Sequence, residues 1–303
     1  LASYAFDDNP VNLWQPHLAE LPKDLKEAFH DPSVLIYGWN VSFEKAITAW
    51  ILGIDLPIQR FRDVMSMARY LSLPGSLAEC GKVLGLSQDE KKMAEGKKLL
   101  RMFSLPSKLG GEETLFGISE TVYKNWNSHP REWQMFCDYN RQDVIAERAI
   151  FNRMKNFQMP DFEQKVWELD QKINERGVAV DTDLVDGGSF IAKEVKDQYS
   201  KRLFEITKLE NPNSVTQLLG WLTAQGYSFH SLGKPFIARA LAGECQLTPE
   251  GKEVLEIRSQ SSKTASTKLL KIKDQLSSDG RLRFQYSYYG ASRTGRWSSG
   301  AGE

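Results

Sequence analysis

Hydrophobic and polar residues change their rhythm partway along the chain. In the first half, short apolar runs alternate with stretches of helical spacing. Leu1–Phe6 and Val11–Trp14 flank Asp7-Asp8-Asn9-Pro10, a turn-forming tetrapeptide, and predict a β-hairpin. Val34–Tyr37 is a short apolar strand. From Ser42 to about Leu52, Phe43, Ile47, Trp50 and Ile51 recur at helical intervals. Val64–Leu71, Leu77–Leu84 and Glu90–Phe103 predict further helices, separated by Pro74-Gly75 and Gly85. A long helix from Pro130 to Met154 follows, with proline in its first turn.

Pro160 breaks this pattern, and a domain boundary is expected near 158–162. A helix around Phe162–Glu175 stops at Arg176-Gly177, and Val178–Val180 predicts a brief strand. Leu184–Leu209 is long, helical and heavily charged, which predicts an exposed arm. Asn211–Ser214 opens a short amphipathic helix ending near Gly226. Glu250–Leu276 is another long, lysine-rich helical stretch, and Arg281–Tyr289 alternates as a strand does. The second half is therefore mostly helical.

Composition narrows the function classes. The 303 residues carry 39 Lys and Arg against 39 Asp and Glu, so a globally basic nucleic-acid binder is excluded. Any such partner must be held by local patches. Three scattered cysteines (Cys80, Cys137, Cys245) without a C-x-x-C pair exclude a disulfide framework and a thiolate zinc site. The four histidines are equally dispersed and read as surface or loop residues. No apolar run approaches the roughly 20 residues that span a bilayer. The chain opens at Leu1 inside a strand-like pattern, so the lack of a targeting segment carries no weight.

Two short motifs carry candidate chemistry in the first half. Asn40-Val41-Ser42-Phe43-Glu44 sits where a buried strand gives way to a helix. Tyr139-Asn140-Arg141-Gln142-Asp143 lies inside the long helix, where residues four apart share a face. Phosphodiester hydrolysis with two metal ions needs carboxylates converging on hard cations and a group that orients water. A strand-end carboxylate, a helix carboxylate and a tyrosine one turn away suit that requirement. Spacing alone also allows an ordinary helix pair and a first-turn acid favoured by the helix dipole.

These motifs resemble motifs II and III of 3′–5′ exonuclease domains with an RNase H-like α/β fold, in the subtype using Y-x-x-x-D. Phe61-Arg62-Asp63-Val64-Met65, Leu73-Pro74-Gly75-Ser76-Leu77, Gly96-Lys97-Lys98-Leu99-Leu100 and Phe103 are similar to the proofreading domain of phage-type family A (Pol I-like) DNA polymerases. The resemblance implies that Asp143 binds metal, that Tyr139 positions the attacking water, and that Glu44 replaces the motif II aspartate. Asn40 is implied as a DNA contact. Motif I, Asp-x-Glu, is missing; Asp7-Asp8 lies in a turn, lacks that spacing, and is no substitute. Truncation before Leu1 is the expectation, with a poor or inactive nuclease as its consequence.

The second half resembles the start of a family A polymerase domain, its thumb and the beginning of its palm. Trp167 through Asp181 is similar to the passage from exonuclease to polymerase. Asn211-Pro212-Asn213-Ser214 with Gln217-Leu218 resembles a thumb helix start, where Asn211 and Ser214 cap the helix or hold a DNA phosphate. Between Ser261 and Arg296, eight basic residues oppose only Asp274 and Asp279, with Phe284, Tyr286, Tyr288 and Tyr289 interleaved. Such a mixture suits a nucleic-acid backbone, or else a solvated lysine-rich helix beside an inward-packed strand. Lys263-Thr264-Ala265-Ser266-Thr267 resembles a K-x-x-S-T stretch, implying phosphate contacts by Lys263, Ser266 and Thr267. Thr294-Gly295-Arg296-Trp297-Ser298-Ser299 resembles T-G-R-x-S-S, implying that Arg296 reads the minor groove at the primer terminus.

The expected organisation is an exonuclease-like domain over 1–159 and the start of a polymerase domain over 160–303. The implied parent performs template-directed DNA synthesis with proofreading, in the cytoplasm of a phage's host. It uses Mg²⁺ and acts on primer-template DNA, a single-stranded primer end and deoxynucleotides. The chain itself lacks the palm aspartates and the fingers helix, and is not expected to polymerise. A free-standing exonuclease with a DNA-binding arm and a non-catalytic DNA-binding scaffold are the alternatives.

Overall fold

A computed structural model describes residues 1–87, 96–108, 121–261, 264–291 and 294–299, without side-chain detail at 107–108, 121–122 and 264–267. It divides into two compact units. The first comprises Leu1–Ile173 and Tyr286–Ser298. The second is built on Asn174–Gln285.

The first unit opens with the hairpin that the sequence predicts. Strands β1 (Ala2–Tyr4) and β2 (Asn12–Trp14) pair antiparallel, with Ala2 opposite Trp14 and Tyr4 opposite Asn12. Helix α1 (Lys23–His30) follows. Strand β3 (Ile36–Gly38), helix α2 (Ser42–Trp50) and strand β4 (Phe61–Asp63) form a crossover unit. β3 and β4 are parallel, with Gly38 opposite Asp63. Parallel strands need such a connection because a tight turn cannot reverse the chain twice. Arg60, in the short turn before β4, is 6% exposed. It donates to the carbonyls of Ala28 (2.7 Å), Phe29 (2.7 Å) and Val34 (3.0 Å), so its guanidinium closes the open end of α1.

Helices α3 (Val64–Tyr70), α4 (Leu77–Val83) and α5 (Gly96–Ser104) come next. The short pair β5 (Ser107–Lys108) and β6 (Thr121–Val122) leads to α6 (Pro130–Met154) and α7 (Asp161–Arg176). Val64, Met67 and Ala68 of α3, Leu77 and Cys80 of α4, and Ala146, Ala149, Ile150 and Met154 of α6 form one core. A second core joins Val41, Leu56, Ile58 and Phe61 to Trp167 of α7. Because Trp167 is built into that core, packing divides the chain between Ile173 and Asn174, later than the sequence break at Pro160.

The second unit is mainly helical. It contains β7 (Val178–Ala179), α8 (Thr182–Thr207), α9 (Val215–Ala224), α10 (Lys234–Arg239), α11 (Pro249–Ser261), α12 (Thr264–Gln275) and β8 (Arg281–Leu282). Its core gathers Leu203, Leu218, Leu222, Tyr227, Ile237, Val254 and Leu255. Asp181 caps α8 by accepting the Leu184 N–H at 3.0 Å. Gly177 stops α7 with φ of 71°, and a Cβ there would stand 2.7 Å from the Leu282 carbonyl. The positions after the break thus follow the predicted helix, glycine stop and strand.

The stretch Arg281–Tyr289 is not one strand. Phe284 is left-handed (φ 56°), its N–H donates to the Asn174 carbonyl at 3.1 Å, and the chain restarts as β9 (Tyr286–Ala291). Alternation alone does not register a backbone reversal of this kind. β9 pairs with β10 (Arg296–Ser299). Within the first unit, β9 is fastened to α3: Arg69 donates to Ser287 Oγ at 2.6 Å and to the Tyr288 carbonyl at 3.2 Å. Tyr288 in turn donates to Glu163 of α7.

Candidate active site

The turn between β3 and α2 is held by a carboxylate from the neighbouring strand. Asp63 is 4% exposed. Its Oδ1 accepts the N–H groups of Asn40 at 2.8 Å, Val41 at 3.4 Å and Met65 at 3.3 Å, and Ser66 Oγ donates to Oδ2. It therefore caps α3 and fixes the turn at once. Burial pushes its carboxyl up, while these hydrogen bonds oppose the shift. Asn40 adopts φ of 65°, a conformation asparagine tolerates better than most residues, and its side-chain oxygen accepts Ser42 Oγ at 3.1 Å. In this structure Asn40 is a turn-former.

One turn into α2 stands Glu44. Its side chain is reachable by solvent, yet the surrounding protein pushes its carboxyl up to about 7. Its own backbone N–H opposes this rise, and the charge of Asp63 adds to it.

Helix α6 supplies the other side. Tyr139, Asp143 and Glu147 are spaced by four, so they line one face over successive turns. Tyr139 is 8% exposed, and its ring lies nearly parallel to Phe136, with centroids 6.3 Å apart and 10° between planes. Burial pushes Glu147 up to about 8, and the charges of Glu44, Asp63 and Asp143 contribute to the shift. The Trp39 backbone acts against it. The structure thus brings Glu44 and Asp143 within electrostatic reach of one carboxylate that the sequence motifs did not single out. Its signal was the repeated four-residue spacing beyond Asp143.

Glu44 and Asp143 are oxygen donors of the kind that suits hard cations. Among the described residues, however, no three His, Cys, Asp or Glu side chains converge closely enough to hold a metal ion. These residues alone do not fit a metal cage.

The remaining candidates lie apart from this cluster in sequence, and Ser214 and Asn211 serve visible local roles. Ser214 caps α9 by accepting the Gln217 N–H at 3.5 Å. Asn211 accepts the Asn213 N–H at 3.1 Å, and its own N–H donates to Gln217 Oε1 at 3.2 Å. Lys263 lies outside the described residues, and Ser266 and Thr267 are placed on α12 by their backbone alone. Arg296 is exposed at the start of β10, just after Gly295 with φ of 64°. Part of the basic stretch is already engaged. Arg283 grips Asp279 (2.6 Å) and the Glu175 carbonyl (2.9 Å), Arg281 donates to the Gly177 carbonyl (3.0 Å), and Lys273 meets Asp186 (2.7 Å). Arg281 and Arg283 thus stabilise the corner where β7 meets β8.

Fold and charge together define a chain with a carboxylate-bearing α/β unit and a mainly helical unit. No family model matches it. The DNA polymerase of Bacillus phage SP02 is 35% identical over 302 residues, covering 98% of this chain and 45% of that protein. The chain is homologous to a phage DNA polymerase along nearly its whole length, and spans about half the length of that curated relative. No described helix is long and apolar enough to cross a membrane.

Proposed function

We propose that this chain is part of a family A DNA polymerase that extends a primer on a DNA template and proofreads its 3′ end. The observation that carries the reading is the 35% identity to a protein named DNA polymerase over 98% of the chain. The proofreading part, over 1–159, is supported by the charge coupling of Glu44 and Asp143 to Glu147 of α6, with Tyr139 one turn from Asp143. In this reading the site takes a frayed, single-stranded 3′ end, with Glu44, Tyr139 and Asp143 as the residues that meet it. Residues 160–303 begin the polymerase domain, where Arg296 contacts the primer-terminal minor groove.

The test separates the two activities in the intact protein. Asp143→Ala is expected to abolish 3′–5′ degradation of a single-stranded oligonucleotide while primer extension continues. Undiminished degradation by that variant removes the nuclease assignment, and absence of template-dependent extension by the unaltered protein removes the polymerase one.

A further inference from the structure

The paired strands β9 and β10 carry Arg296, and within the first unit two consecutive residues of α3 hold them. Arg69 donates through one nitrogen to Ser287 Oγ at 2.6 Å and to the Tyr288 carbonyl at 3.2 Å. Its guanidinium lies against Gly75, where a Cβ would stand 2.5 Å from Arg69 Nε and 2.9 Å from Nη2. Any side chain at that position would displace the guanidinium, which gives the Leu73-Pro74-Gly75 stretch a physical task. Next along the helix, Tyr70 meets the Tyr289 ring edge-on, with centroids 5.8 Å apart and 62° between planes. Tyr288 is 4% exposed and packs in the core with Phe61 and Trp167, its hydroxyl on Glu163.

Tyr289 continues these contacts toward the turn between the strands. Its backbone is left-handed (φ 50°), a strained conformation for an aromatic residue that persists only where the surroundings hold it. Its ring lies against Gly295, where a Cβ would stand 2.9 Å from Tyr289 Cε1 and 3.0 Å from Cζ. Contacts thus run from Tyr70 through the Tyr289 ring to Gly295, and the next residue is Arg296, exposed at the start of β10. We infer that Arg69 and Tyr289 are positioning residues for Arg296: Arg69 seats β9 on α3, and the Tyr289 ring sets the turn that leads into Arg296. The inference rests on the reading above that Arg296 contacts the primer terminus. It gives α3, a helix of the nuclease-like unit, a part in primer extension.

Variants of the intact protein test this. Arg69→Ala removes the seat, Tyr289→Leu removes the ring, and Tyr289→Phe keeps the ring while losing the hydroxyl. Combining Arg69→Ala with Arg296→Ala asks whether the first residue acts through the second. Misplacing a group at a reacting centre by about an ångström costs on the order of 100-fold in rate. Arg69→Ala and Tyr289→Leu are therefore expected to lose about 10- to 100-fold in kcat for primer extension, and Tyr289→Phe to recover most of that loss. The double variant is expected to lose no more than Arg296→Ala alone, because residues acting through one contact are not additive. Hydrogen exchange of the β9 amides supplies a readout independent of activity: faster in Arg69→Ala, close to unaltered in Arg296→Ala.

Losses that multiply in the double variant, or β9 exchange unaltered in Arg69→Ala, overturn the inference. So does normal extension by Arg69→Ala where Arg296→Ala is impaired. If Arg69→Ala does not fold, Tyr289→Leu combined with Arg296→Ala decides in the same way. Failure of the primer-terminus reading itself looks different: Arg296→Ala then extends primers at the unaltered rate, while β9 exchange in Arg69→Ala still reports on the seat.

Discussion

Gly96 of α5 lies against the face of Tyr139 of α6. A Cβ built on Gly96 would stand 1.9 Å from Tyr139 Cε2 and 2.4 Å from both Cδ2 and Cζ. Such distances leave no room for any side chain, and the ring, 8% exposed and layered with Phe136, has nowhere to retreat. The missing side chain thus fixes the depth of the one tyrosine implicated in orienting water.

Gly96→Ala is accordingly expected to displace the ring instead of being absorbed. Overpacking of this sort costs about 1–3 kcal/mol. Chemical denaturation should register that loss, and single-strand degradation should fall while primer extension is spared. An Ala variant with unaltered midpoint and degradation rate would show that α5 moves aside freely.

A second prediction concerns Arg60, which reaches three carbonyls around the end of α1 from a nearly sealed position. Its planar fork serves Ala28, Phe29 and Val34 at once, which the single ammonium of lysine cannot reproduce. Arg60→Ala leaves three partly buried acceptors without their donor, at a cost on the order of 1–3 kcal/mol. Arg60→Lys is expected to recover less than half of the lost stability in urea unfolding. Full recovery by lysine would mean that charge near the helix end matters and the fork does not.

Legibility in the sequence follows the range of the interaction. The β1–β2 hairpin and α6 were readable because turn chemistry, periodicity and proline at a helix start are local signals. α1 was not anticipated: its closing group is Arg60, 31 and 32 positions downstream of the carbonyls it meets. The parallel pairing of β3 with β4 and the break at Phe284 also depend on partners distant in sequence. At the candidate site, Glu44, Tyr139 and Asp143 were named from their motifs. The role of Asp63 was not, since it is defined by N–H groups that only the folded turn presents. The same limit applies to the basic stretch, where Arg281 and Arg283 are spent on carbonyls and Asp279.

The carboxylate cluster also predicts how stability responds to pH. Burial raises the folded-state values of Glu44 to about 7 and Glu147 to about 8, from an ordinary value of 4.5, and raises Asp63 as well. Between the ordinary carboxylate range and about 8, the native protein therefore holds protons that the unfolded chain has released. Stability from these groups is fully present below about 4.5 and is lost as pH rises through about 7 and 8. His17, held below its ordinary range by burial, works in the opposite direction over part of the same window. At the acid end Asp31, lowered chiefly by its Ser33 hydrogen bond, loses its contribution as pH falls through its folded value. Urea unfolding from pH about 5 to about 8, without divalent cations, should therefore show a midpoint that declines with pH. Replacing Glu44 and Glu147 together by glutamine removes both titrations, leaves His17 in place, and should flatten that decline. An identical slope in the double variant would show that these two carboxylates are not the groups taking up the protons.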